Sequence, residues 1–230
     1  MKPSVIFKRS IDIVMYVLFL LLMGQCVLRG AAHEWLGIAV SVLFVLHNVL
    51  NYRWYKALFK GKYTALRAVQ TAVNFLLMLA VLDCAVSGVL ISQHLFSVGS
   101  GSTIEFGRHL HLVVTAWAFV LMTVHLGLHW SLFTAIGKKV SVSGRAKRAL
   151  SIIGWILAAA LCLYGLYQFV DRRFWEELFH QIDYQKECDY SQSLPAYFVG
   201  TAALSVPFVA AAHYGKRILT GRGTRGNRQK

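Results

Sequence analysis

Four of the chain's nine histidines fall within one apolar stretch, residues 108–130, which reads RHLHLVVTAWAFVLMTVHLGLHW. Imidazole is costly to place in hydrocarbon, so histidines inside a segment of spanning length mark a site of chemistry. His111 and His125 are 14 residues apart. In a helix that interval is about 21 Å along the axis, and it leaves the two side chains within about 40° of one another. One helix thus presents two imidazoles in the same direction, one toward each face of a bilayer. A second stretch repeats the pattern, with His33 and His47 again 14 residues apart. Two such helices running the same way set His33 opposite His111 and His47 opposite His125. Each pair supplies both axial ligands of one haem iron, which leaves no open position for oxygen and favours electron transfer.

The elements that carry these histidines are expected to be membrane helices. The 230 residues are 57% hydrophobic and only 15% charged, with a mean hydropathy of +0.52, which excludes an ordinary soluble domain. Six apolar runs are long enough to cross ~30 Å of hydrocarbon, at about residues 11–28, 33–52, 68–93, 109–132, 149–170 and 194–214. The fold class they predict is all-α, an integral membrane bundle of six transmembrane helices in a single membrane domain. A haem-binding four-helix core occupies about residues 11–132, two further helices about 149–214, and a basic cytoplasmic tail 215–230. Residues 174–179 predict a short interfacial amphipathic helix, and Pro207 predicts a kink in the last run.

Charge distribution sets the expected orientation. Nineteen of the 24 Lys and Arg residues lie at the N-terminus, in the second and fourth connections and in the tail. The remaining five lie in the other connections. By the positive-inside rule both termini face the cytoplasm. The net charge of +14 is therefore a topology signal and a match for anionic lipid headgroups, and no nucleic acid partner is expected. The first run is 18 residues long, more than the ~7–15 of a signal-peptide apolar region, and is read as an uncleaved first helix. None of the four cysteines stands in a C-x-x-C or C-x-x-C-H arrangement. Zinc-ribbon, thioredoxin-like and covalent c-type haem readings are thereby excluded.

Other residues take secondary parts. His94 is the alternative outer ligand. His109 lies about 160° around the helix from His125, and His129 lies one turn beyond His125, so both are alternatives of poorer fit. Gly37 and Gly88 stand near the expected haem levels, where a missing Cβ lets a flat macrocycle approach a helix. Arg108 is placed to pair with a haem propionate. Asp83 is the one acid deep in any run and is expected to bond to a nearby Ser, Asn or Trp. Trp117 is deep enough to pack between the haems.

Together, HEWLG at 33–37, HNVLNYRW at 47–54, SG at 87–88 and RHLH…HLGLH within 108–129 carry a resemblance. The chain resembles the small bacterial membrane cytochromes b linked to periplasmic flavinylated proteins, over roughly residues 33–130. Its histidine spacing is also similar to cytochrome b of the respiratory bc complexes and, more loosely, to the haem-bearing subunit of formate dehydrogenase. The resemblance implies two haem b groups held by His33, His47, His111 and His125. It further implies electron exchange between the quinone pool and a periplasmic, flavin-bearing redox partner. The rival reading is a transporter or channel using histidines for a transition metal or protons. Only His125 and His129, at i and i+4, offer the clustered ligands it needs.

Overall fold

The computed structural model describes residues 3–24, 28, 30–130, 144–179 and 193–226. All secondary-structure elements among them are helical. They are α1 (Pro3–Leu22), α2 (Ala31–Leu50), α3 (Tyr52–Ala57), α4 (Ala65–Ile91), α5 (Gly101–His129), α6 (Gly144–Asp171), α7 (Phe174–Leu178) and α8 (Leu194–Gly226). Five stretches are long and apolar enough to cross a membrane: Ala31–Leu50, Ala65–Ile91, Gly101–His129, Arg148–Asp171 and Leu194–Thr220. Helix α1 has the length, but Lys8, Arg9 and Asp12 interrupt its apolar character. It also begins and ends earlier than the 11–28 run, so the sixth expected span takes in charges that the run left out. Helix α8 runs on through residues read as a basic tail.

The chain divides into two compact units. The first comprises Met1–Lys62, Met78–Trp117 and Glu176–Val199. Within it, α1 lies along α2, and Lys8 Nζ donates to the Leu50 carbonyl at the C-terminal end of α2. That end of a helix carries unsatisfied carbonyls and partial negative charge, which an ammonium group satisfies on both counts. At the other end of α1, Tyr197 Oη donates to the Met23 carbonyl at 2.7 Å. Trp117, deep in its run, is engaged with the segment that ends α7. Its indole donates to the Leu178 carbonyl at 2.9 Å and meets Phe179 edge-on.

The second unit comprises Tyr63–Leu77, Ala118–Trp175 and Gly200–Lys230. Its core is aromatic: the fully buried Phe119 meets Phe174 and Phe208 edge-to-face at centroid distances of 5.5 and 6.4 Å. Phe169 touches the same two rings. Such edge-to-face pairs add to the area they bury. Phe174 belongs to the short α7, which therefore turns its first aromatic into the protein instead of toward a lipid surface. Lys216 Nζ donates to the Leu128 carbonyl at 2.7 Å, capping α5 as Lys8 caps α2.

Helix α8 passes Pro207 without leaving helical conformation. Proline lacks the N–H that would bond to the carbonyl four residues back, that of Ala203. Gly165 of α6 packs onto that site, where an added Cβ would come within 2.1 Å of the Ala203 oxygen and 2.8 Å of Pro207 Cδ. Small residues allow this close backbone approach between membrane helices. At Gly154, earlier in α6, an added Cβ meets nothing within 4 Å. A Gly165→Val variant is accordingly expected to lose about 1–3 kcal/mol of stability through overpacking, while Gly154→Val stays near wild type. Thermal unfolding in detergent compares them, and equal melting temperatures for the two variants would contradict the close packing.

Candidate haem-ligand site

His33 is the third residue of α2, which follows Gly30 at φ 61°. His111 lies well inside α5. The first unit brings the two rings together with centroids 6.4 Å apart and planes at 71°. An imidazole nitrogen binds a metal at about 2.0 Å, so two rings sharing one metal stand roughly 6 Å apart between centroids. The spacing fits axial ligation from opposite sides, and the angle between the planes is free, because each ring can turn about its own metal–nitrogen bond. On α5, it is the ring of His111 that meets His33.

Neighbouring helices fix which nitrogen of each ring carries the proton. Ser87 Oγ donates to the Asp83 carbonyl at 2.6 Å and lies 2.9 Å from His111 Nδ1. Having spent its one hydrogen on the carbonyl, the hydroxyl accepts from His111 Nδ1–H. The lone pair of His111 is then on Nε2. His47 Nδ1 lies 2.7 Å from Asp12 Oδ1, and a carboxylate can only accept, so Nδ1 carries a proton here too. Asn51 Nδ2 stands 3.5 Å from that ring's Nε2, at the outer limit for a hydrogen bond, and donates at 2.9 Å to the His47 carbonyl. In the second unit, His125 Nδ1 donates to Asn74 Oδ1 at 2.8 Å. Ligating histidines characteristically give their second N–H to such acceptors, which orients the ring and raises its basicity. His33 Nδ1 is buried without a hydrogen-bond partner among the described residues.

His47 belongs to the first unit and His125 to the second. Each is held within its own unit by the acceptor just named. His129 accompanies His125, with ring centroids 4.8 Å apart. Among the described residues, no three His, Cys, Asp or Glu side chains gather as a metal-ion cage requires.

The glycines test whether a flat macrocycle fits. A Cβ on Gly37 would meet nothing within 4 Å, and one on Gly88 would meet the His111 ring at 3.5 Å. Gly37, one turn after His33, thus has open space beside it, and Gly88 lets α4 approach the edge of the His111 ring. Together with the orphaned Nδ1 of His33 and the ring spacing, the donor set fits the group. Arg108 is exposed on the second turn of α5. Asp83 is exposed as well, and Ser87 bonds to its backbone carbonyl, not to its carboxylate as expected.

Sequence reasoning missed three residues. Asp12 and Asn74 hold ligand candidates, as described. Glu34, directly after His33, accepts from Ser92 Oγ at 2.7 Å and from the backbone N–H groups of Gln93, His94 and Leu95 at 3.0, 3.3 and 2.9 Å. His94 Nδ1 adds a fifth contact at 3.1 Å, so the alternative outer ligand is engaged with Glu34. Successive N–H groups at a chain turn form a concave anion site, here filled by the protein's own carboxylate. The available signal was an acid in the first turn of a helix, where the dipole favours it.

No protein-family model, no curated protein and no solved structure matches this chain. Replacing Glu34 by Ala is expected to release the 92–95 turn. Amide hydrogen exchange at Gln93, His94 and Leu95 should speed up at least tenfold, the effect of losing about 1.4 kcal/mol of protection. Unchanged exchange at all three amides would show that the carboxylate does not hold the turn.

Proposed function

We propose that the chain is a di-haem b-type cytochrome that carries electrons across or within the cytoplasmic membrane. One observation carries the reading: His33 and His111, brought together from α2 and α5 at a ring spacing of 6.4 Å. The second haem rests on the 14-residue interval that both helices repeat, which assigns it to His47 and His125. When bound, a haem with two axial imidazoles accepts and returns single electrons and offers no position to oxygen.

The residues of the chain supply holding and orientation. Ser87, Asp12 and Asn74 accept from Nδ1 of His111, His47 and His125, which orients each ring and raises its basicity. Gly37 and Gly88 leave room at the helix surfaces, and Arg108 is placed to meet a propionate. In the proposed topology α1 is the sixth span, with its charges at the cytoplasmic surface and both termini inside. His33 and His111 then lie at the periplasmic end, within reach of a redox protein there, possessing flavin in the resemblance above. Quinone in the membrane is the complementary electron carrier.

Reduced-minus-oxidised spectra of the purified protein test the assignment. The expected result is b-type absorbance with about two haems per chain. His33→Ala and His111→Ala should each remove one and the same haem, and His47→Ala and His125→Ala the other. A colourless protein, or full absorbance in the His47→Ala/His125→Ala double variant, ends the reading. Metal analysis that returned zinc, copper or nickel in place of haem iron would favour the transport alternative, which the His125–His129 pair would then serve.

A further inference from the structure

The four proposed ligands differ in what their second nitrogen meets. His111 has a hydroxyl, Ser87, and His125 a neutral amide, Asn74. His33 has no partner among the described residues. His47 has a carboxylate, Asp12, at 2.7 Å. Glu34 stands next to His33 in sequence, but its carboxylate is directed to the 92–95 turn, where it accepts five hydrogen bonds. Among these acceptors, then, the charged one serves His47.

We propose that Asp12 is a positioning residue that lowers the reduction potential of the haem carried by His47, making it the lower of the two. The inference rests on the di-haem reading and deepens it. A carboxylate that accepts the Nδ1–H draws that proton toward itself and leaves the ring richer in electrons at Nε2. A stronger donor, with a fixed negative charge behind it, stabilises the oxidised iron relative to the reduced one. Hydrogen bonding of this kind outside the axial ligands is one of the levers by which a protein sets a haem potential. Serine and asparagine supply the acceptor geometry at His111 and His125 but bring no charge. The two haems would therefore be inequivalent, with the His47 level at the lower potential. Asp12 neither touches the iron nor donates electrons; it acts through the imidazole.

Spectroelectrochemical titration of the purified full chain tests this, with haem absorbance giving two one-electron waves. Asp12→Asn keeps an acceptor oxygen and removes the charge. It is expected to shift the lower midpoint upward by at least 59 mV, a tenfold change in the oxidised-to-reduced ratio of a one-electron couple. The upper midpoint and both haem intensities should stay at wild-type values. Asp12→Glu, which restores the charge, should return the lower midpoint toward wild type. In a His33→Ala background, which keeps the His47 haem alone, the surviving wave should show the same shift. An unmoved lower midpoint, a shift confined to the upper wave, or loss of the haem from Asp12→Asn each overturns the proposal; the last would mean that Asp12 holds the ring in place and does not tune it. Wild-type protein without b-type absorbance ends the di-haem reading itself, whereas haem with an unmoved lower potential ends this proposal alone.

Discussion

A neutral imidazole has one nitrogen that carries a proton and one that can bind a metal, and its neighbours decide which is which. The rest of the site depends on that assignment. It is made at three rings by acceptors on other helices: Asp12 on α1, and Ser87 and Asn74 on α4. Each acceptor has to be brought to hydrogen-bonding distance by packing. Gly107 of α5 does this for Ser87, since an added Cβ there would press on Ile91 at 2.9 Å and Leu90 at 3.4 Å. Lys8 does it for Asp12, because one turn of α1 carries both the ammonium that caps α2 and the carboxylate that bonds His47. The helix contacts are thus also the chemistry of the site, one step removed.

Polar groups inside apolar helices elsewhere follow the same economy. In the second unit, Arg172, in the turn directly after α6, donates to Gln168 at 2.6 Å and to Thr201 on α8 at 2.9 Å. The guanidinium lies so close to α8 that a Cβ on Gly200 would fall 2.3 Å from one of its nitrogens. Where hydrocarbon replaces water, each donor has to find its acceptor within the protein. Glycine and the small hydroxyl residues are what let helices come near enough for that.

Much of this was legible in the sequence because it follows from periodicity. Of the six expected runs, run length and apolar content located five on helices long and apolar enough to span, with ends displaced by up to eight residues. The interval between histidines placed His33 and His111 on helices that the structure brings together. Asp12 was hidden because it stands at the edge of an apolar run, among Lys8 and Arg9, where a charge reads as an interface marker. Its partner is 35 residues away. The partners of Glu34 lie 58 to 61 residues on. Pairings of that kind depend on how far each helix is rotated and how deep it sits, and hydropathy encodes neither. Asp83 drew notice as an acid in hydrocarbon, yet it is the backbone of that residue that Ser87 uses.

Helix α2 is pinned at both ends by charges of opposite sign. Glu34 in its first turn is tied to the 92–95 segment, and the Leu50 carbonyl at its last turn is tied to Lys8. A helix held in this way cannot slide along its own axis without breaking one set of bonds or the other. The distance between His33 and His47 is then set by helical rise alone, about 21 Å. α2 is in effect a ruler, and the separation of its two histidines is a fixed dimension of the protein, independent of how the lipid around it thickens or thins.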